Sequence, residues 1–183
     1  MVQLFHRIIH SNNVSTADNQ QERLRFIGWI VGYTDGEGCF SVSVFKNKTT
    51  KFGYQVFPEF VITQGEKSKD SLTIVRKFFS CGQIYVNNRK DNHTENIYRY
   101  CVRSLSAIQS IIIPFFLKYP LRTNKQKDFL LFVQAVKIIS QKKHLTPSGF
   151  SKIVEIKSKM NRKILRDYTP DPERAIRQAE GKR

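Results

Sequence analysis

Acidic residues are scarce in this chain: fifteen Asp and Glu stand against thirty-one Lys and Arg, a formal charge of +16. That balance excludes a surface built for cationic ligands and points to an anionic partner, whether DNA, RNA or a membrane surface. Long apolar runs are also missing. The longest, around Ile111 to Leu117, falls short of a bilayer span and contains Pro114, so no membrane-inserted helix is expected. The cysteines, Cys39, Cys81 and Cys101, are an odd set without CxxC spacing. This argues against a zinc site or a disulfide framework and fits a reducing compartment. His6, His10, His93 and His144 lack metal-ligand spacing. The first residues are too polar for a secretory signal, while Arg7 and the few acids there leave an organellar address open.

What the chain does contain is a sequence of short, patterned elements. The length fits one domain, expected over 21–166, with a flexible leader over 1–20 and a loosely ordered tail over 167–183, where Pro170 and Pro172 fall. Glu22 to Thr34 reads as a helix, with Leu24, Ile27 and Val31 on one side and Phe26, Ile30 and Tyr33 on another. Apolar almost all round, it should be buried. Asp35-Gly36-Glu37-Gly38 reads as the turn that ends it. Cys39 to Asn47 and Tyr54 to Gln64 read as a strand pair. Leu72 to Phe79 reads as a helix facing the core through Leu72, Val75, Phe78 and Phe79, and Gly82 to Asn88 with Ile97 to Arg103 as a second strand pair. Helices follow over Ser104 to Phe116, over Lys125 to Ser140 with Asn124 as cap, and from Thr146-Pro147-Ser148 toward Leu165.

The segment Phe26 to Phe40, FIGWIVGYTDGEGCF, resembles the LAGLIDADG signature of homing endonucleases and group I intron maturases, its core nine letters falling on Ile30 to Gly38. The resemblance extends to Phe57 to Gln64 (FPEFVITQ), to Tyr119-Pro120-Leu121 with Lys125, and to His144 to Asn161. It implies an α+β fold: an αββαββα core with a curved antiparallel DNA-binding sheet and additional C-terminal helices. Gly28 and Gly32 lie four apart on one helix face, where a second backbone can come close. In the family two such helices pair, so one motif implies a homodimer whose interface takes in Ile27, Gly28, Val31, Gly32 and Asp35.

By the same resemblance Glu37 holds the metal, with the Gly36 carbonyl as a further ligand; hard oxygen donors suit Mg²⁺, or another divalent ion such as Mn²⁺. Gln64 falls where the family orients attacking water. Lys125 falls where it carries a pocket lysine, with Lys127 as the alternative, and Ser68, between Lys67 and Lys69, occupies a place where a basic residue is expected.

In the family the sheet lies in the major groove, and alternate side chains face the DNA. Counting in twos from Glu37 names Ser41, Ser43, Phe45 and Asn47, then Gln55, Phe57 and Glu59, and on the second pair Tyr85, Asn87, Arg89 and, above all, Arg99. Lys46, Lys48, Lys51, Lys67, Lys69, Lys90, Lys142 and Lys143 are expected on phosphates. The implied function is a site-specific, organellar DNA endonuclease that cuts both strands of a long, roughly palindromic duplex and leaves short 3′ overhangs. The alternatives are a maturase bound to intron RNA and a DNA-binding protein that does not cleave.

Overall fold

The computed structural model describes residues 16–47, 49–50, 53–87 and 96–160. The first helix, α1, spans Thr16–Glu37, and strands β1 (Gly38–Lys46) and β2 (Tyr54–Gly65) follow. A single 3₁₀ turn leads into α2 (Lys69–Phe79), then β3 (Gln83–Asn87) and β4 (Ile97–Val102). The next helix, α3, opens over Leu105–Ala107, widens to a π turn over Ile108–Ile112 and returns to α over Ile113–Lys118. Pro114 has no N–H to offer the preceding turn, which accounts for irregularity at this place. Helices α4 (Lys125–Ser140) and α5 (Pro147–Lys159) complete the described chain. The order matches the αββαββα core with added C-terminal helices. The expected leader up to residue 15, the tail and the end of the last helix at Leu165 lie outside the described residues.

The four strands form one antiparallel sheet in the order β1-β2-β4-β3. Strand alternation decides its two faces. Phe40, Val42 and Val44 are buried on β1, Phe60 and Ile62 on β2, Tyr100 and Val102 on β4, all against the helices. Phe40 is the hub of this core, with ring centroids 4.9–5.4 Å from those of Phe60, Phe116, Phe129 and Phe132. Pro58 is tolerated in β2 because the β2–β4 ladder ends at Phe60 opposite Val102, so its missing N–H removes no bond to β4. On the edge strand β3, Val86 is exposed rather than core-facing, and on α2 Phe78 only packs along the core margin.

Helix α1 departs from the sequence reading at both ends and around its circumference. It starts at Thr16, six residues early, and runs through Gly36 to Glu37. Gly36 therefore does not break it, and neither Gly36 nor Gly38 takes a positive φ. Gly38 is required for another reason: a Cβ there would lie 2.6 Å from Thr34 Cγ2 and 2.7 Å from the Thr34 carbonyl oxygen. The strand leaves the helix so tightly that only hydrogen fits. Nor is α1 buried all round. Ile27, Ile30 and Thr34 are covered, whereas Leu24 is 53% and Trp29 38% exposed. Three internal glycines each cost roughly 1 kcal/mol of helix propensity relative to alanine, so packing of the covered face must hold this helix together.

Candidate active site and nucleic-acid interface

Leu24, Gly28, Gly32 and Gly36 recur every fourth residue along one line of α1, and a Cβ added at any of the three glycines would meet nothing within 4 Å. Val31 and Asp35 flank that line and are half-buried. Ile27 is not part of the open face. It is 6% exposed within the protomer, because its position turns it inward beside Ile30. Beside the end of this line stands Glu37, which is the last helical residue rather than one past the helix, and its side chain is exposed.

The C-terminal end of a helix carries partial negative charge, and α1 has no basic residue in its last turn. Arg122, Thr123 and Lys125 of the neighbouring chain segment bind this helix end. Lys125 Nζ donates to the Thr34 carbonyl at 2.9 Å. Burial lowers the Lys125 pKa from the usual lysine value, against the opposing pull of Asp35 and Glu37. Asp35 accepts from the Arg122 N–H at 2.7 Å, the Thr123 N–H at 3.3 Å and the Thr123 hydroxyl at 2.8 Å. Thr123 Oγ1 in turn accepts from the Lys125 N–H at 3.2 Å. The expected cap, Asn124, makes no capping bond with its side chain. Thr123 does that work, because Asp35 fixes it there. Asp35 is thus bound within its own protomer, and it locks the lysine to the end of the signature helix.

Gln64 is the penultimate residue of β2, on the helix side of the sheet, two residues after buried Ile62. Its amide lies near the Tyr33 hydroxyl and favours the ionised phenol, and that hydroxyl lies 2.5 Å from Ser71 Oγ. Burial raises the Tyr33 pKa and the nearby Glu37 charge adds to the rise. Glu37, Gln64 and Lys125 are therefore neighbours through Tyr33 and the helix end, not through direct bonds. The sequence reading gives Tyr33 only a place on an apolar helix face, although its position four residues before Glu37 puts the two side by side. Lys127 is exposed on the first turn of α4, and Ser68 closes the 3₁₀ turn with its carbonyl taken by Ser71.

Among the described residues no group of three or more His, Cys, Asp or Glu is placed to hold a metal ion. One protomer offers Glu37 and the backbone oxygens of the helix end. These are hard donors at the negative pole of a helix, which fits a divalent ion, but one carboxylate and these backbone oxygens fall short of a full octahedral ligand set.

On the face of the sheet away from the helices, register aligns Ser41 with Glu59, Ser43 with Phe57, Phe45 with Gln55, and Tyr85 with Arg99. Asn87 lies on the same face, opposite Ile97. Asn47 Nδ2 donates to Gln55 Oε1 at 3.1 Å, and its own oxygen accepts from the Thr49 N–H and hydroxyl, so those two side chains also shape the β1–β2 turn. Arg89, Lys48, Lys51 and Lys90 lie outside the described residues. Lys46, Lys67, Lys69, Lys142 and Lys143 are exposed. Arg103 joins this face although it was not singled out from sequence. The signal was available, since 99, 101 and 103 share one parity.

A helix that ends on an exposed acid, packed beside a four-stranded antiparallel sheet with a free polar face, defines a protein of the homing-endonuclease class. The chain belongs to the LAGLIDADG endonuclease family, whose model matches residues 30–136. It is 35% identical over 140 residues to "Probable intron-encoded endonuclease 3" of Neurospora crassa, covering 75% of this chain and 25% of that protein. It is 30% identical over 117 residues to "Homing endonuclease I-ApeII" of Aeropyrum pernix, covering 64% and 66%. Among solved structures, the homing endonuclease I-TnaI aligns with a TM-score of 0.67 at 38% identity, over 86% of this chain and 97% of that one. The I-SmaMI homing endonuclease bound to cleaved DNA aligns with a TM-score of 0.70 at 32% identity, over 82% and 47%. The chain spans about a quarter of the length of the first curated relatives it matches. No helix among the described residues is long and apolar enough to cross a membrane.

Proposed function

We propose that this protein is a site-specific homing endonuclease, working in an organelle, that hydrolyses both strands of a long and roughly palindromic DNA duplex as a homodimer and leaves short 3′ overhangs. The observation that carries the proposal is the open line of Gly28, Gly32 and Gly36 ending beside exposed Glu37. A backbone that presents no side chain is suited to close approach by an identical helix, and a two-fold axis there brings a second Glu37 alongside the first. The coverage of the neighbours supports this reading: the chain accounts for 97% of I-TnaI and 47% of I-SmaMI, as one unit of a paired architecture would.

Mg²⁺, or Mn²⁺ in its place, would be held by the two Glu37 carboxylates with the Gly36 carbonyls, and supplies activation of water and charge neutralisation at the scissile phosphates. Gln64, beside the Tyr33 hydroxyl, orients the attacking water. Lys125 places an ammonium beside the phosphate while Asp35 and Thr123 hold its helix. Ser41, Ser43, Phe45, Asn47, Gln55, Phe57, Tyr85, Asn87 and Arg99 face the major groove, and the exposed lysines add salt-dependent affinity. I-SmaMI has been solved with DNA and calcium ions, which fits this partner and this kind of ion.

The proposal is tested by incubating purified protein with the intron-less host locus and Mg²⁺. Double-strand cleavage that disappears in Glu37→Gln, with binding retained, is expected. A protein that binds intron RNA and leaves that DNA intact would contradict it.

A further inference from the structure

The free face of the sheet carries one preassembled group of side chains. Arg103 follows β4 directly, and the β2–β4 register, continued one step past Phe60 and Val102, sets Glu59 opposite it. One oxygen of Glu59 accepts from Arg103 Nε, and the other lies 3.4 Å from Arg99 Nη2. The Arg103 guanidinium also lies 5.1 Å from the Tyr85 ring centroid and 5.9 Å from that of Phe57. The Glu59 side chain is largely covered, 15% exposed, while those of Arg99 and Arg103 stay open at 39% and 44%.

This arrangement separates the roles of the three charges. A carboxylate on a DNA-facing surface repels phosphate, and with both oxygens committed to arginines Glu59 is poorly placed to accept from a base. It is well placed as an anchor. Arg103 uses Nε for that anchor, and among the described residues its two terminal nitrogens make no hydrogen bond. Guanine presents N7 and O6 side by side in the major groove, the acceptor pair that a guanidinium fork matches. Stacking on two rings and bonding through Nε fix the fork beforehand, which reduces the side-chain entropy lost on binding. Arg99 has a single 3.4 Å contact to Glu59 and no ring beneath it among the described residues, so it is held less firmly.

We infer that Arg103 is a specificity-determining residue that reads a guanine in each half-site through its terminal nitrogens, and that Glu59 is the positioning residue that holds Arg103 and Arg99 for this readout. The inference rests on the endonuclease reading and extends it by naming the base, the atoms that read it and their anchor.

The test uses the full chain and a pool of randomised double-stranded DNA, selected by binding, followed by duplexes in which each base pair of the selected sequence is changed singly. The wild-type protein is expected to show one guanine per half-site whose replacement weakens binding roughly ten- to a hundredfold. Arg103→Lys, which keeps the charge and loses the fork, should lose that preference at that position alone. Glu59→Gln should lower the same preference while raising affinity for unselected duplex, because it removes a negative charge. A purely structural role for Glu59 would lower both, together with thermal stability. Arg103→Lys with the guanine preference intact, or with preference reduced equally at every position, overturns the inference alone. A wild-type protein that selects no duplex overturns the endonuclease reading and this inference with it.

Discussion

The glycines of α1 and the glycine that follows it are four residues apart or less, yet they do opposite things. Gly28, Gly32 and Gly36 face open space, so the protomer gives no reason for them to lack side chains. Gly38 is crowded by its own chain, with the Thr34 carbonyl and methyl in the place a Cβ would take. Gly149 is similar, the place of a Cβ being taken by the Lys143 carbonyl. The crowded glycines belong to folding of one protomer. The open ones point to something outside it, and the acid beside the end of their line is where a second copy would complete the chemistry.

The largest effect should come at the end of the open line. Glu37→Gln is expected to lower cleavage by about a thousandfold or more while DNA binding, measured by gel shift, persists. Next comes the line itself. Gly32→Leu should weaken dimerisation by roughly a hundredfold and remove cleavage with it, yet leave thermal unfolding of the protomer unchanged, since nothing in the protomer occupies the space. Gly38→Ala should do the reverse, costing about 1–3 kcal/mol in denaturant unfolding without altering subunit affinity of the folded fraction. A Gly32→Leu protein that unfolds while Gly38→Ala folds normally would break the comparison.

Two titrations sharpen it. Because burial lowers the Lys125 pKa, its ammonium is lost below the usual lysine range, so the cleavage rate should fall along an alkaline limb that begins early. Lys125→Arg, whose charge persists, should remove that limb whatever its effect on the maximum rate. The smallest effect concerns His144, whose pKa burial also lowers, against the opposing pull of the Ile138 and Ile139 backbone. A lowered folded-state value means that the unfolded chain binds the proton more readily, so stability is full above the ordinary histidine range and declines as pH falls through it toward the lowered value. Unfolding free energy measured against pH should lose that decline in His144→Gln.

Much of the fold was legible because it is written in local periods. The alternation of Ser41, Val42, Ser43 and Val44 fixes which face of β1 packs inward, and Thr146-Pro147 announces α5, where Thr146 accepts from the Gly149 N–H. What stayed hidden depends on distant partners. Gly36 looks like a helix stop, but the end of α1 is held by Lys125 and by the Asp35 bonds to a turn 87 residues away. Asn124 looks like a cap, but Asp35 gives that task to Thr123. Ile27 and Leu24 look equivalent by hydropathy, and only packing separates the covered one from the open one. Arg103 was on the correct parity, and its anchor on β2, 44 residues away in sequence, could not be read from β4 alone.

The central claim is that one chain carries half an active site, and the mass of the protein in solution tests it most directly. Sedimentation equilibrium of the active protein should give twice the mass of one chain, falling to one chain, with cleavage lost, in Gly32→Leu. An active species with the mass of a single chain would contradict the account.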